Sequence, residues 1–352
     1  MQHYTFPYTE VFHCTAGDCP DSCCKGWEIV IDHKTLQTYQ QTCSPIGETI
    51  RSTLTKNEDD EWMFQNREDG NCPFWNKEKL CDLQIQAGES LLCDTCRQFP
   101  RIPQDYTLFT EHVLSLACPE AARLVLTQTE PFQAIPLTQA EPSEPINEAE
   151  LPYSLNWMNC LLETRAVLLQ LFQETSIPLA EALCYGLHYV QQFQDWIEEK
   201  TDDFPELQPI PSKPVFLHHE SVQHLYDTLE WMTPVWADWM QQIQQHPVTD
   251  ADLQAFVKIA EPWIPAFRNF CSYYLYLYWL QALNTGNALI QYQKLLTALH
   301  EIAIVSAWKL RETHTYTLTD CMIIVQRYAK EVMHDAENIE KIEDILHNLG
   351  SL

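Results

Sequence analysis

The stretch HCTAGDCPDSCCKGW, residues 13–27, places Cys14, Cys19, Cys23 and Cys24 within eleven positions. Two more groups follow. Cys72 in NCPFW is joined by Cys81 in LCDLQ, and Cys93 and Cys96 form a Cys-x2-Cys pair in CDTCRQFPR, with Cys118 at a distance. Thiolates are soft ligands that suit zinc or an iron-sulfur cluster, and either normally takes four of them. Structural zinc sites usually show two Cys-x2-Cys knuckles, and only Cys93 with Cys96 has that form here. Irregular spacing over about a hundred residues is easier to reconcile with a cluster held in a folded pocket. Adjacent Cys23 and Cys24 project in different directions, so one ligates while the other packs or serves a second centre. His13, His33 and His112 are the histidines that could substitute, although a lone histidine beside enough cysteines is usually not a ligand.

The distribution of thiols supports this chemistry. Ten of the 14 cysteines lie between Cys14 and Cys118, while Cys160, Cys184, Cys271 and Cys321 are scattered and suit buried structural positions. The opening MQHYTFPYTEVF has no basic region and no continuous apolar run, so a cytoplasmic location is expected. In that reducing compartment clustered thiols bind metal or do chemistry more often than they form disulfides. The run CSYYLYLYWL is too short to cross a bilayer, which takes roughly 20 residues, so no membrane partner is expected. Asp and Glu number 49 against 21 Lys and Arg, a net charge of -28. Such a chain repels phosphate backbones, which argues against nucleic acid. It attracts cationic, lysine-bearing partners, besides staying soluble.

The elements that must position these residues divide the chain in three. Residues 1–126 are read as a small, irregular, cysteine-rich metal-binding domain. Residues 127–152, rich in proline and glutamate without apolar period, are read as an extended linker. Residues 153–352 carry helical spacing throughout and are read as an all-helical bundle, so the fold class is mainly α. In SLNWMNCLLETRAVLLQLFQE the apolar stripe is Leu155, Met158, Leu162, Ala166, Leu169 and Phe172, with Ser154 as N-cap. The segment VQHLYDTLEWMTPVW is read as another helix, and His218 with His219 as a helix start. The aromatic run Phe270, Tyr273, Tyr274, Tyr276, Tyr278 and Trp279 is read as core packing rather than a peptide-binding face.

The double cysteine Cys23-Cys24 with Cys19, the following Gly26-Trp27, the CPFW and LCDLQ elements, GESLLCDTCRQFPR and Cys118 resemble the flagellin lysine N-methylase family. They are also similar to a broader group of cysteine-rich domains described as zinc- or iron-chelating. The likeness covers roughly the first 125 residues. It implies methyl transfer from S-adenosylmethionine to lysine side chains of flagellin, with an iron-sulfur cluster, 4Fe-4S in preference to zinc, held by the cysteines. Cys19, Cys23, Cys24, Cys72, Cys81 and Cys96 carry over best by motif. Cys14, Cys93 and Cys118 are second-tier ligands.

The residues constrain how that chemistry would run. Eight glycines, none close enough to make a nucleotide-binding turn, exclude a Rossmann-like methyltransferase. The usual radical motif Cys-x3-Cys-x2-Cys is broken, because Cys24 directly follows Cys23, and about 125 residues are too few for the barrel of about 250 that normally carries it. Polar attack by a deprotonated lysine and one-electron chemistry both stay open, and no catalytic residue is assigned. Arg97 and Arg101 flank Gln98-Phe99-Pro100 and could hold a carboxylate in bidentate fashion, or bridge acidic surface instead. Trp27, Phe74, Trp75 and Phe99 could wall a pocket, or simply shield the metal. Trp27, Arg97 and Arg101 are therefore the candidate cofactor-binding residues. The competing expectation is a non-catalytic, zinc-stabilised protein-interaction module; a redox protein built on Cys93 and Cys96 lacks the strand-helix-strand surroundings such a pair needs.

Overall fold

The computed structural model describes residues 2–27, 29–137, 151–208 and 228–349. The protein is mainly helical, with a four-stranded sheet and a two-stranded hairpin among the described residues. Two hydrophobic cores organise it.

The smaller core gathers Ile29, Ile31, Leu36, Tyr39, Ile50, Phe64, Phe74, Leu83, Leu91 and Leu92. Its first helix, His33–Gln41, starts where the Asp32 carboxylate accepts from the Thr35 N–H at 2.8 Å. Proline at the first position and the Ser44 cap start the second, Pro45–Thr53. The hairpin of β2 (Leu54–Lys56) with β3 (Trp62–Phe64) closes one side. Asp32 also accepts from the Asp94 N–H at 2.9 Å, and the Tyr39 hydroxyl donates to the Leu91 carbonyl at 2.7 Å. These two bonds hold the segment that carries Cys93 and Cys96 against the first helix.

The larger core is built by the helical region, but the cysteine-rich segment contributes to it at both ends. Strand β1 (Gln2–Thr5) pairs in parallel with β5 (Phe109–Leu114), which pairs antiparallel with β4 (Arg101–Asp105). Within residues 127–137, read as the start of a linker, Phe132 is buried and β6 (Ile135–Pro136) adds to β1, while most of the other side chains are exposed. Burying one aromatic side chain of this kind is worth about 2–3 kcal/mol, enough to hold a stretch that has no periodicity of its own. The remainder of the expected linker, 138–150, lies outside the described residues, as do His218 and His219.

Ser154 caps the helix Leu155–Gln173 as the sequence indicates. Its buried face is rotated from the expected stripe. Met158, Leu169 and Phe172 are buried, but Ala166 is exposed and the face centres on Leu161, Arg165 and Leu168. Arg165 enters the core because Glu111 of β5 receives its guanidinium through two bonds, at 2.6 and 2.9 Å. The 26-residue helix Ala288–Thr313 packs against Leu179–Ile197, Asp250–Ala260, Leu318–Tyr328 and Ala336–Leu349. The aromatic run on helix Ile264–Tyr278 and just after it is buried, as core packing requires. In VQHLYDTLEWMTPVW residues 228–233 are not helical, and the helix begins at Pro234 with Thr233 as its cap. Proline at position 234 disfavours helical backbone before it. The N–H groups of Met232 and Thr233 turn instead to the buried carboxylate of Glu331, at 2.6 and 3.2 Å.

Candidate metal centre

All fourteen cysteines are free thiols. Cys72 and Cys93 are buried in the smaller core, and Cys24, Cys81 and Cys96 pack against it. Backbone bonds bring these sulfur-bearing segments together. The Cys72 N–H donates to the Cys24 carbonyl at 2.8 Å, and the Gly26 N–H to the Gly70 carbonyl at 3.2 Å, so the end of the first cysteine loop pairs with the strand-like stretch before Cys72. Gly26 adopts a φ of 85°, open to glycine at little cost, which allows that pairing. An isolated bridge joins Trp75 to Cys81, and the Asp82 N–H reaches the Phe74 carbonyl at 2.8 Å. Cys93 and Cys96 lie one turn apart at the start of the helix Asp94–Gln98, where the Arg97 N–H donates to the Cys93 carbonyl at 2.9 Å.

The thiols bear on one another electrostatically. A hydrogen bond from the Cys23 thiol draws the Cys24 pKa down to about 7 against the opposing pull of burial, and Cys23 rises correspondingly. The same relation lowers Cys93 at the expense of Cys96. Burial pushes Cys72 up to about 12, with Cys24 and Cys81 adding to the rise. Burial raises Cys81 as well, against the N–H groups of Gln84 and Leu83 at the helix start that follows it. These thiols are protonated at neutral pH, and a soft cation bound by them would displace their protons. Five thiols of the right chemistry for a four-thiolate group thus share one small core. As the side chains stand, no three donors among the described residues are gathered into a metal-holding group. The donor set fits such a group in kind, and holding it would require these side chains to turn towards one another.

Cys14, Cys19, Cys23 and Cys118 lie outside that core. Cys14 and Cys19 bracket the 3-10 turn Ala16–Asp18, and Cys118 precedes the helix Pro119–Leu126 and packs against the larger core. The loop between them is clamped by residues that sequence reasoning missed. Asp21 receives the Lys330 ammonium at 3.3 Å and the Gln326 amide at 3.0 Å, and Lys330 also donates to the Lys25 carbonyl at 3.2 Å. Lys330 sits on the π-helical turn Ala329–Met333 that ends the helix Leu318–Tyr328. Its ammonium lies 5.9 Å from the centre of the Trp27 ring. The available signal was Lys330 itself, a scarce cation placed inside a strongly apolar helical pattern.

Trp27 stands beside the thiols. Its indole N–H donates to the Cys23 carbonyl at 2.6 Å, and its ring meets Phe99 edge to face at 5.0 Å. Arg97 is held by the Asp94 carboxylate at 2.6 Å and by the Leu92 carbonyl at 2.5 Å. It lines a groove of about 370 Å³ with Lys34, Glu89 and Asp94, and no cysteine lines that groove. Arg101 is exposed, with its guanidinium 5.3 Å over the Phe12 ring. The two arginines are therefore not brought together with the sulfurs as Trp27 is. Of the histidines, His112 contacts His3 at 2.9 Å, His13 is exposed, and His33 opens a helix.

This chain is 34% identical over 120 residues to a flagellar biosynthetic protein, FliU, of Salmonella muenchen, a match covering 33% of this chain and 71% of that protein. The chain belongs to the family of FliU and the lysine-N-methylases. Lysine-N-methylases of Salmonella typhimurium strain LT2 and Salmonella choleraesuis match at 34% over 120 residues, which is 30% of the length of each. No family model matches the chain, and no solved structure matches it. No described helix is long and apolar enough to cross a membrane.

Proposed function

We propose that this protein is a protein-lysine N-methyltransferase that acts on flagellin, takes its methyl group from S-adenosylmethionine, and holds an iron-sulfur cluster in its smaller core. The observation that carries the reading is the 34% identity to proteins named lysine-N-methylase and FliU. Cys24, Cys72, Cys81 and Cys96 are the ligands that the shared core and the sequence motifs support together, with Cys93 as the fifth thiol beside them. A bound cluster supplies either a Lewis-acidic iron or one electron.

The chain's own residues account for the approach of the substrate. A net charge of -28 draws a lysine-bearing protein towards the surface and speeds encounter. The substrate amine titrates near 10.4 in water and has to lose its proton before it attacks a methyl carbon, so it must be desolvated or meet a base. Trp27 and Phe99 present an aromatic wall next to Cys23 that can receive the lysine's alkyl stem and ammonium. A bound S-adenosylmethionine would supply the methyl group on a sulfonium, and in the polar route its transfer to the deprotonated amine would release the donor as a neutral thioether.

The test is transfer of labelled methyl from S-adenosylmethionine to flagellin by anaerobically purified protein, with the labelled residues located by peptide mass analysis. Label on lysines supports the reading. Unlabelled flagellin with iron-loaded protein contradicts it, and leaves the non-catalytic interaction module.

A further inference from the structure

We infer that the groove between the helix His33–Gln41 and the helix Asp94–Gln98 binds the zwitterionic end of an α-amino acid. Its volume of about 370 Å³ is of a size that holds a small ligand. The walls are fixed before any ligand arrives. Asp32, at the head of the first helix, accepts from both the Thr35 and the Asp94 N–H, at 2.8 and 2.9 Å, and the Tyr39 hydroxyl reaches the Leu91 carbonyl at 2.7 Å. Arg97 is held in turn by the Asp94 carboxylate and the Leu92 carbonyl, at 2.6 and 2.5 Å. These bonds set the plane of its guanidinium and leave the other N–H groups of the fork to a ligand.

The groove carries donors and acceptors of both charges. Lys34 and Arg97 offer only N–H donors, and Glu89 and Asp94 offer carboxylates. The hydroxyls of Ser90 and Thr38 have already given their protons, to the Ala87 carbonyl at 2.7 Å and the Lys34 carbonyl at 3.1 Å, so towards the groove they can only accept. Lys34 and Glu89 have no ion-pair partner among the described residues, although acidic residues outnumber basic ones by 49 to 21 in the chain. Two opposite charges that line one groove without pairing match a ligand that carries both. Its carboxylate goes to Lys34 and the open edge of Arg97, and its ammonium to Glu89 and the two hydroxyls. A phosphate or a plain carboxylate would meet Glu89 and Asp94, and a plain amine would meet Lys34 and Arg97, each at a repulsive cost. No large apolar side chain lines the groove, so recognition is of the α-ammonium and α-carboxylate rather than of a side chain. Two sources carry that group: a free amino acid, and S-adenosylmethionine through its methionine end, the second resting on the methyltransferase reading above.

The experiment is calorimetric titration of the full chain, purified anaerobically, with L-methionine, L-methionine methyl ester, S-adenosylhomocysteine and methylthioadenosine, the last lacking the amino-acid end. Lys34→Gln and Glu89→Gln are the test variants, because both side chains are exposed and their exchange leaves the smaller core packed. Lys77→Gln, an exposed lysine that does not line the groove, is the control for the loss of one charge. The expected result is saturable binding of L-methionine or S-adenosylhomocysteine, none of the ester or of methylthioadenosine, and affinity lowered about tenfold or more in each test variant but not in Lys77→Gln. L-methionine bound at least as tightly as S-adenosylhomocysteine assigns the groove to free amino acids, and S-adenosylhomocysteine bound more tightly assigns it to the methyl donor. Affinity unchanged in either test variant, the ester or methylthioadenosine bound as tightly as its amino-acid counterpart, or no uptake of either amino-acid ligand would each overturn the inference. Binding is read without turnover, so a chain that takes up an amino-acid ligand through Lys34 and Glu89 but methylates no flagellin would refute the proposed function and leave the groove assignment standing.

Discussion

The Lys330 ammonium stands 3.3 Å from the Asp21 carboxylate, with 3% and 11% of the two side chains exposed, and this pair joins the cysteine loop to the π-helical turn of the bundle. Burial alone would raise the Asp21 pKa; Lys330 and Gln326 overcome it and hold the carboxyl below its ordinary value. Losing the Lys330 ammonium leaves the Asp21 carboxylate with Gln326 and the more exposed Lys25, 3.6 Å away, so the cost is about 1–3 kcal/mol, below that of a buried charge left wholly alone. Lys330→Met is therefore expected to lose stability of that order in denaturant titration. Hydrogen exchange should speed up first in residues 14–27. Uniform loosening of the whole chain would show that the pair does not act on the loop.

The same pair sets an acid limit. A carboxyl whose pKa is depressed in the fold contributes stability above its unfolded value, and that contribution disappears as pH falls through the folded one. Asp21→Asn should therefore flatten the loss of stability on the acid side of the ordinary carboxylate range. An unchanged acid limb would contradict the assignment.

His334 works at higher pH. Its ring nitrogen contacts the Ser115 hydroxyl at 2.6 Å, and burial lowers its pKa to about 4. The unfolded chain takes up this proton near pH 6.5 and the folded one does not, so stability rises with pH between about 4 and 6.5. The gain is on the order of 1–3 kcal/mol, since the residue is only partly closed from solvent. In His334→Gln the slope of stability against pH across that window should shrink by this amount.

Glu111 and Arg165 carry a prediction about the larger core. Arg165→Met alone should cost about 3–5 kcal/mol, because Glu111 is left charged and buried. The double variant Glu111→Leu with Arg165→Met should recover most of the loss. Additive losses would show that the two residues act independently.

Close helix packing gives a further check at Gly186 on the helix Leu179–Ile197. A methyl added there meets the Tyr292 hydroxyl, which donates to the Leu183 carbonyl at 3.0 Å. Gly186→Ala should cost about 1–3 kcal/mol by overpacking, read as a lower midpoint in thermal or denaturant unfolding.

These residues also show what could be read in the sequence. The stripe from Leu155 to Phe172 and the Ser154 cap reveal a helix, because both signals are local. The rotation of its buried face was hidden, since Arg165 looks like a surface cation until Glu111, 54 residues away, is brought opposite it. The aromatic run from Phe270 to Trp279 was legible as core for its density alone. Phe132 and Ile135 were not, because strand addition to β1 depends on a partner at the other end of the segment. The thiols were legible as a set. The clamp of Gln326 and Lys330 on Asp21 arises from contacts some 300 residues apart in sequence and leaves no local pattern.

The central claim is that the thiols of the smaller core hold iron. Its most direct test is iron and acid-labile sulfide analysis, with electron paramagnetic resonance, on anaerobically purified parent and Cys72→Ser. The account predicts brown parent protein with iron and sulfide in equal amounts and a cluster signal on reduction, all lost in Cys72→Ser while the fold is kept. Colourless parent protein without iron or sulfide, or a cluster undiminished in Cys72→Ser, would contradict it.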